Sequence, residues 1–150
     1  MTIHSLSDTE LNEVIAKAKG WQLYNEIRGE YTIQVIYSPE SVSPWENYKN
    51  SEEARKRYTL LDWSQYDRNN CINNKTFPDF THDSGLAMAL LEEMKVSNPS
   101  LFYQSKTFYN NAPEKWGFAY DLVEGGRSDV IWSDTKERAI CEAFAEWKGL

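Results

Sequence analysis

The sequence is poor in the residue types that metal sites, disulfides and nucleophilic catalysis require. It contains two cysteines, Cys71 and Cys141, and two histidines, His4 and His82, among 150 residues. The cysteines lie far apart and form no CxxC or Cys/His spacing, which excludes the common zinc and redox motifs. Free thiols are typical of a reducing compartment, so we expect a cytoplasmic protein without disulfides or metal ligands.

Long apolar runs and a basic, apolar leader are also missing. The first residues, MTIHSLSDTE, contain neither, and no stretch approaches the length of a transmembrane helix. Lys plus Arg number 16 against 23 Asp plus Glu, which gives a formal net charge of -7. This excess of negative charge opposes non-specific attraction to nucleic acid and anionic lipid. We therefore expect neither duplex nucleic acid nor a membrane as a partner.

Aromatic residues are abundant for a chain of this length. Six Trp and nine Tyr contribute to a hydrophobic content of 41%, which is enough for a sizeable core. A small core cannot enclose all of these rings, so some should lie at a surface or interface. The length predicts a single domain over residues 1–150.

The most apolar helix is predicted within residues 77–94, FPDFTHDSGLAMALLEEM. Thr81 or Asp83 can accept hydrogen bonds from the free amides of its first turn. Three apolar residues then recur at helical spacing: Leu86, Leu90 and Met94. This pattern predicts an amphipathic helix packed on a sheet, with the core around it.

Two further helices are predicted near the ends of the chain. Ser7 and Glu10 have the spacing of a capping box, and so do Asp134 and Glu137. Gly149 is placed to end the last helix. The apolar face of that helix is formed by Ala139, Ile140, Ala143, Phe144 and Trp147.

Strands are predicted between the helices from β-branched and aromatic alternation. They begin at Trp21 and then cover residues 31–37, 58–63, 101–109, 116–123 and 129–132. Gly125 and Gly126 should supply the turn before the last strand. The element order predicts an α+β fold, a helix-sheet-helix sandwich with a mostly antiparallel sheet.

Three stretches resemble the phage ABA-sandwich family, small proteins encoded by phages and prophages. They are LNEVIAKAKGW (11–21), PDFTHDSGLAMALLEEM (78–94) and SDTKERAICEAFAEWKG (133–149), and they cover about a third of the chain. The resemblance implies helices on both sides of a sheet and a phage or prophage origin. It implies no catalytic residues, because the family has no general assigned activity, and it favours a counter-defence role inside a bacterial host cell.

Two short motifs have both a chemical and a structural interpretation. Asp79, His82 and Asp83 could form a metal or acid-base cluster, but the same residue types cap and turn into helices, and we favour capping. Gly125-Gly126-Arg127 lacks the Lys-Ser or Lys-Thr of a phosphate-binding loop and precedes a strand, so a hairpin turn is favoured. Cys141 lies at helical spacing beside apolar residues and is predicted to be a core residue.

The irregular segment 38–77 interleaves aromatic residues with arginines. Aromatic rings stack on bases and Arg pairs with phosphate, so the mixture suits a nucleotide-like or anionic ligand. The alternative is that the rings anchor a long insertion to the sheet. The predicted ligand-binding residues are Trp45, Tyr48, Arg55, Arg57, Tyr58, Trp63, Tyr66 and Arg68.

The sequence thus predicts a non-enzymatic binding protein with no cofactor. In one hypothesis it captures a small nucleotide-like or anionic host signalling ligand through the aromatic and arginine residues of segment 38–77. In the other it is a protein-protein interaction module, which binds and inhibits a host protein or forms a homo-oligomer.

Overall fold

The computed structural model describes residues 2–41, 51–105 and 114–150. The chain divides into two compact units, one of residues Met1–Ile15 and Pro78–Leu150 and the other of residues Ala16–Phe77. We call them the terminal unit and the middle unit. The single 150-residue domain stays a prediction.

The middle unit is built on a three-stranded antiparallel sheet. Its strands are β1 (Gln22–Arg28), β2 (Tyr31–Tyr37) and β3 (Tyr58–Leu61), in the order β2-β1-β3. Gly29, in the turn between β1 and β2, has φ of 60°, a left-handed conformation that glycine adopts without strain. A short helix, α2 (Glu52–Arg57), leads directly into β3. The segment predicted to be an irregular insertion therefore contributes a strand to the sheet.

Strand alternation divides the middle-unit sheet into two different faces. On one face, Leu23 and Ile36 lie opposite each other and form a buried cluster with Cys71. Partly buried side chains pack against that cluster: Trp21, Leu61, Trp63, Tyr66 and Phe77. We call this the aromatic face.

The second face of the same sheet carries Glu26 and Arg28 from β1 and Tyr31 from β2. Arg28 is paired directly with Tyr31, and Glu26 with Tyr58 of β3, and residues paired in this way share a face. We call this the arginine face. It contains a buried carboxylate, since Glu26 is only 3% exposed.

The terminal unit contains a second antiparallel sheet, in the order β4-β5-β6. Its strands are β4 (Ser97–Gln104), β5 (Lys115–Asp121) and β6 (Ile131–Ser133). The register of β4 shifts between Ser97 and Ser100, which is a bulge beside Pro99. The predicted end of β4 at residues 106–109 and the predicted turn at 110–113 lie outside the described residues.

Two helices, α3 (Ser84–Met94) and α4 (Lys136–Lys148), pack on each other, and α4 packs on β5 and β6. Helix α1 (Asp8–Ala18) begins in the terminal unit and ends in the middle unit. Leu90, Phe118, Ile140 and Phe144 are all at most 1% exposed. The predicted apolar faces of α3 and α4 are therefore confirmed at Leu90, Ile140 and Phe144, whereas Trp147, assigned to the same face of α4, is 40% exposed.

The helix caps agree with the sequence at two of three sites. Ser7 and Glu10 form the predicted capping box, with each backbone amide donating to the other side chain. Asp83 caps α3 by accepting from Leu86 N at 3.0 Å. The prediction that Asp134 caps α4 is wrong, because β6 continues to Ser133 and the helix begins only at Lys136. Thr135 is the cap, and it accepts from Arg138 N at 3.1 Å.

The α+β class with antiparallel strands is confirmed. The strands are divided between two sheets, however, whereas the sequence pattern suggested one. The predicted hairpin turn is present, with φ of 99° at Gly125 and 83° at Gly126. None of the helices in the described ranges combines the length and apolar content that crossing a bilayer requires.

Candidate functional site

The predicted ligand-binding residues do not converge on one point. Trp45 and Tyr48 lie outside the described residues. Arg57 and Tyr58 contribute to the arginine face, whereas Trp63 packs with its neighbours on the aromatic face.

Trp63 and Tyr66 anchor the segment after β3 to the sheet. Trp63 Nε1 donates to the carbonyl of Trp21 at 3.2 Å, and the Trp63 and Tyr66 rings meet edge to face at 5.7 Å. Both rings lie 6.2 Å from the ring of Phe77. Lys17 Nζ lies 5.1 Å from the Trp63 ring centre, so a cation already occupies this position. These contacts agree with the anchoring alternative.

Arg55 and Arg68 have exposed side chains on different local elements. Arg55 lies on α2, and Arg68 begins a 3₁₀ turn whose Asp67 side chain accepts from Asn69 N at 3.1 Å. The Arg68 carbonyl accepts from Asn74 Nδ2 at 2.9 Å. Their assignment to a ligand site stays a prediction.

Arg28 and Arg57 meet at the carboxylate of Glu26. Arg28 Nη2 lies 3.1 Å from Oε2, and Arg57 Nη2 lies 3.2 Å from Oε1. The Tyr58 hydroxyl donates to Oε1 at 3.3 Å. Each arginine side chain is 53% exposed while the carboxylate side chain is 4% exposed. The Glu26 side chain is thus buried, whereas those of Arg28 and Arg57 are exposed.

Among the described residues, the charges of this group do not cancel, because Arg28 and Arg57 share the one carboxylate of Glu26. The hydrogen bond to Glu26 raises the pKa of Arg28, which keeps that side chain charged. Burial, together with nearby Tyr58 and Glu26, raises the pKa of Tyr37, so its phenol stays neutral. The arginine face therefore carries a local positive charge on a chain with a net charge of -7.

An exposed aromatic ring lies next to this positive charge. Tyr31 is 75% exposed and is the direct cross-strand partner of Arg28. Arg57 Cζ lies 5.7 Å from the centre of the Tyr58 ring. Exposed rings stack on planar ligands, and guanidinium groups bind phosphate or carboxylate through paired N–H donors. The arrangement can bind an anion that carries a planar group.

The sequence alone does not single out Glu26, Arg28 and Tyr31 as site residues, because the run Arg28-Gly29-Glu30 is polar and is typical of a turn. The sequence nevertheless contains a pattern from which these three site residues could be found. If β1 continues to Arg28 and β2 begins at Tyr31, a two-residue turn pairs these two residues. Alternation then places Glu26 on the same face as Arg28.

The histidines of the terminal unit are both paired with carboxylates. His82 Nδ1 lies 2.9 Å from Asp79 Oδ1, and His82 Nε2 lies 3.3 Å from Asp8 Oδ2. The hydrogen bond that His82 donates to Asp79 raises the pKa of His82. Asp79 also accepts from Asn12 Nδ2 at 3.0 Å, so the group ties the turn before α3 to α1. Asp83 itself acts as the predicted cap.

Other candidates for chemistry are enclosed or lack the required neighbours. Cys141 is fully buried, as predicted, and burial raises its pKa to about 12, which leaves it a poor nucleophile. Cys71 is also buried, in the cluster of the aromatic face. Across residues 2–41, 51–105 and 114–150, no group of three or more His, Cys, Asp or Glu side chains is arranged to hold a metal ion.

Comparisons with family models, curated proteins and solved structures found no match to this chain. The resemblance to the phage ABA-sandwich family therefore stays a prediction that rests on the three helical stretches. The arginine face is the candidate site that follows from the geometry alone.

Proposed function

We propose that this chain is a non-enzymatic phage or prophage accessory protein that binds a small anionic, nucleotide-like ligand on the arginine face. One observation supports an anionic ligand. Arg28 and Arg57 both contact the buried carboxylate of Glu26, each through one Nη2 atom, and each guanidinium group carries five N–H donors in total. The phage origin and counter-defence role are supported by the sequence resemblance alone.

The fixed position of the two arginines favours binding. A long, flexible side chain loses rotamer freedom when it grips a ligand, and this loss weakens the complex. Arg28 and Arg57 have already lost part of that freedom through their contacts with Glu26. A phosphate group bound by both would form charge-assisted hydrogen bonds, each of which contributes about 1.5 to 3 kcal/mol.

The ring of Tyr31 supports the nucleotide-like character of the proposed ligand. It is exposed beside Arg28, where a planar base attached to the phosphate can stack. Stacking of a base on an aromatic side chain contributes about 1 to 3 kcal/mol. A ligand with both groups should therefore bind more tightly than inorganic phosphate or an uncharged nucleoside.

Calorimetric titration with nucleoside monophosphates, cyclic dinucleotides, nucleosides and inorganic phosphate tests this proposal. We expect binding of at least one nucleotide, weak binding of phosphate, and none of the nucleosides. Tyr31→Ala should weaken nucleotide binding by about tenfold at little cost in stability, because the ring is exposed. Tyr103→Ala, which removes a 48% exposed ring from the terminal unit, is the matched control.

Arg57→Gln tests the charge at the same site, with Arg55→Gln on the same helix as its control. Arg28 still neutralises Glu26 in the Arg57 variant, so the fold should persist while nucleotide affinity drops. If no nucleotide binds, or if Tyr31→Ala and Arg57→Gln bind as the wild type does, the arginine face is only a structural ion-pair cluster and the proposal is wrong.

A further inference from the structure

Three apolar side chains are exposed in the segment that joins β5 to β6. Val123 is fully exposed, and Leu122 and Val130 are 42% and 39% exposed. The strand was predicted to continue to residue 123, but β5 ends one residue before Leu122. We call this group the hairpin tip. Exposing such side chains together loses the stabilisation that burial provides.

The hairpin tip is held in one conformation by a set of hydrogen bonds. Arg127 donates to Asp121 Oδ1 at 2.8 Å, to the Asn98 carbonyl at 2.7 Å and to Ser100 Oγ at 2.7 Å. Within the turn, Leu122 N donates to the carbonyl of Gly126 at 2.9 Å. Arg127 therefore joins the turn to the bulge of β4. A surface fixed in this way loses little entropy on binding.

An open cavity of about 290 Å³ adjoins the hairpin tip. Its apolar walls are Tyr120, Leu122 and Ile131, and its carboxylates are Asp129 and Glu146. Within the described part of the chain, neither carboxylate forms an ion pair. Arg127 also lines the cavity, but its charge is matched by Asp121. The cavity thus combines apolar side chains with two carboxylates that have no basic partner among the described residues.

We propose that the hairpin tip and this cavity form a docking surface for a protein segment that carries Lys or Arg beside an apolar side chain. The aliphatic stem of the basic residue would lie against Tyr120 and Ile131, with its charge at Asp129 and Glu146. The apolar neighbour in the partner would cover Val123. The net charge of -7 favours the approach of such a basic segment.

This inference concerns the terminal unit and is independent of the ligand proposed for the arginine face. The carboxylates select a cationic partner, whereas Arg28 and Arg57 select an anion. Loss of one activity therefore need not affect the other.

The test uses three labelled synthetic peptides and the full chain. One alternates Lys with Leu, one alternates Lys with Ser, and one alternates Glu with Leu. Fluorescence anisotropy should show that the Lys–Leu peptide binds at least about tenfold more tightly than either other peptide, since both the charge and the apolar contact contribute. NMR chemical-shift mapping should place its contacts on residues 120–131 and Glu146.

Val123→Ser and Glu146→Gln should each weaken binding of the Lys–Leu peptide by about tenfold. Met88→Ser and Glu92→Gln remove an exposed apolar and an exposed acidic side chain from α3 and should have no effect. Thermal unfolding of all four variants confirms that each is folded.

Equal binding of the Lys–Ser peptide would show that charge alone acts and would overturn the proposal. Unchanged binding by Val123→Ser and Glu146→Gln would do the same. Sedimentation tests whether a second copy of this chain occupies the surface instead. The proposed partner is wrong if the wild type self-associates, if Val123→Ser is monomeric, and if the Lys–Leu peptide does not compete with this self-association.

Discussion

The imidazole Nδ1 of His4 lies 2.7 Å from Oε1 of Glu142, although the two residues are 138 positions apart. Glu142 is 1% exposed, on α4, and its second oxygen lies 3.5 Å from Arg138 Nε. Arg138 also donates to the carbonyl of Leu6 at 2.6 Å. The segment that contains His4 and Leu6 is therefore bound to α4 through Glu142 and Arg138.

Burial raises the pKa of Glu142, and the hydrogen bond from His4 and the charge of Arg138 offset this only in part. The folded protein then binds this proton more tightly than the unfolded chain, whose value is 4.5. The resulting stabilisation is full below pH 4.5 and is lost as the pH rises through the folded pKa. Glu142→Gln removes this dependence.

We therefore expect the free energy of unfolding of the wild type, relative to that of Glu142→Gln, to fall as the pH rises above 4.5. Urea unfolding of both proteins across this range measures the difference, in which the effects of titrating groups that do not contact Glu142 cancel. A difference that stays constant with pH, or that grows in favour of the wild type, would show that folding does not raise the pKa of Glu142.

Leu90→Ala should lower the free energy of unfolding by about 2 to 5 kcal/mol, because the side chain is 1% exposed and its removal leaves a cavity. Met88→Ala is the control on the same helix, since Met88 is 46% exposed. Denaturant melts of the two variants measure both effects. A loss below about 1 kcal/mol for Leu90→Ala would contradict its place in the core.

Gly117→Ala should destabilise the terminal-unit sheet by about 1 to 3 kcal/mol, the usual cost of overpacking. A Cβ at this position would lie 2.7 Å from the Phe102 ring and 2.9 Å from the Trp132 ring. These two rings meet edge to face at 5.3 Å across the glycine. The same substitution in a Phe102→Ala background should cost less, and equal costs in the two backgrounds would rule out the steric explanation.

Asp83→Ala should lower stability by about 1 kcal/mol, because it removes the acceptor for Leu86 N at the start of α3. Asp83→Asn keeps an acceptor at that position and should cost less. Nucleotide and peptide binding should be unchanged in both variants. Loss of binding with an unchanged melt would instead assign Asp83 to a functional site.

Local sequence patterns were sufficient for most helices and for the core. Leu90 and Phe144 recur on apolar faces, and burial of an amphipathic face does not depend on the details of the partner. The cap of α4 was misplaced by one residue because Asp134 and Thr135 are both good caps. Only the end of β6 at Ser133 decides between them.

The division into two sheets and the arginine face required three-dimensional pairing. The alternation in β1 is compatible with either register, and only the turn at Gly29 fixes which residues of β2 face Glu26. Arg57 meets Glu26 through the pairing of β3 with β1, a contact between residues 31 positions apart in sequence. No local pattern contains that information.

The terminal unit is assembled from Met1–Ile15 and Pro78–Leu150, with the whole middle unit inserted between them. Leu11 and Ile15 of α1 are 0% exposed in the finished protein, but Ile140 and Phe144 are synthesised more than a hundred residues later. All three strands of the middle unit, by contrast, exist once residue 77 has been made. On the ribosome the middle unit can therefore fold first, whereas the terminal unit needs residues translated after Phe77.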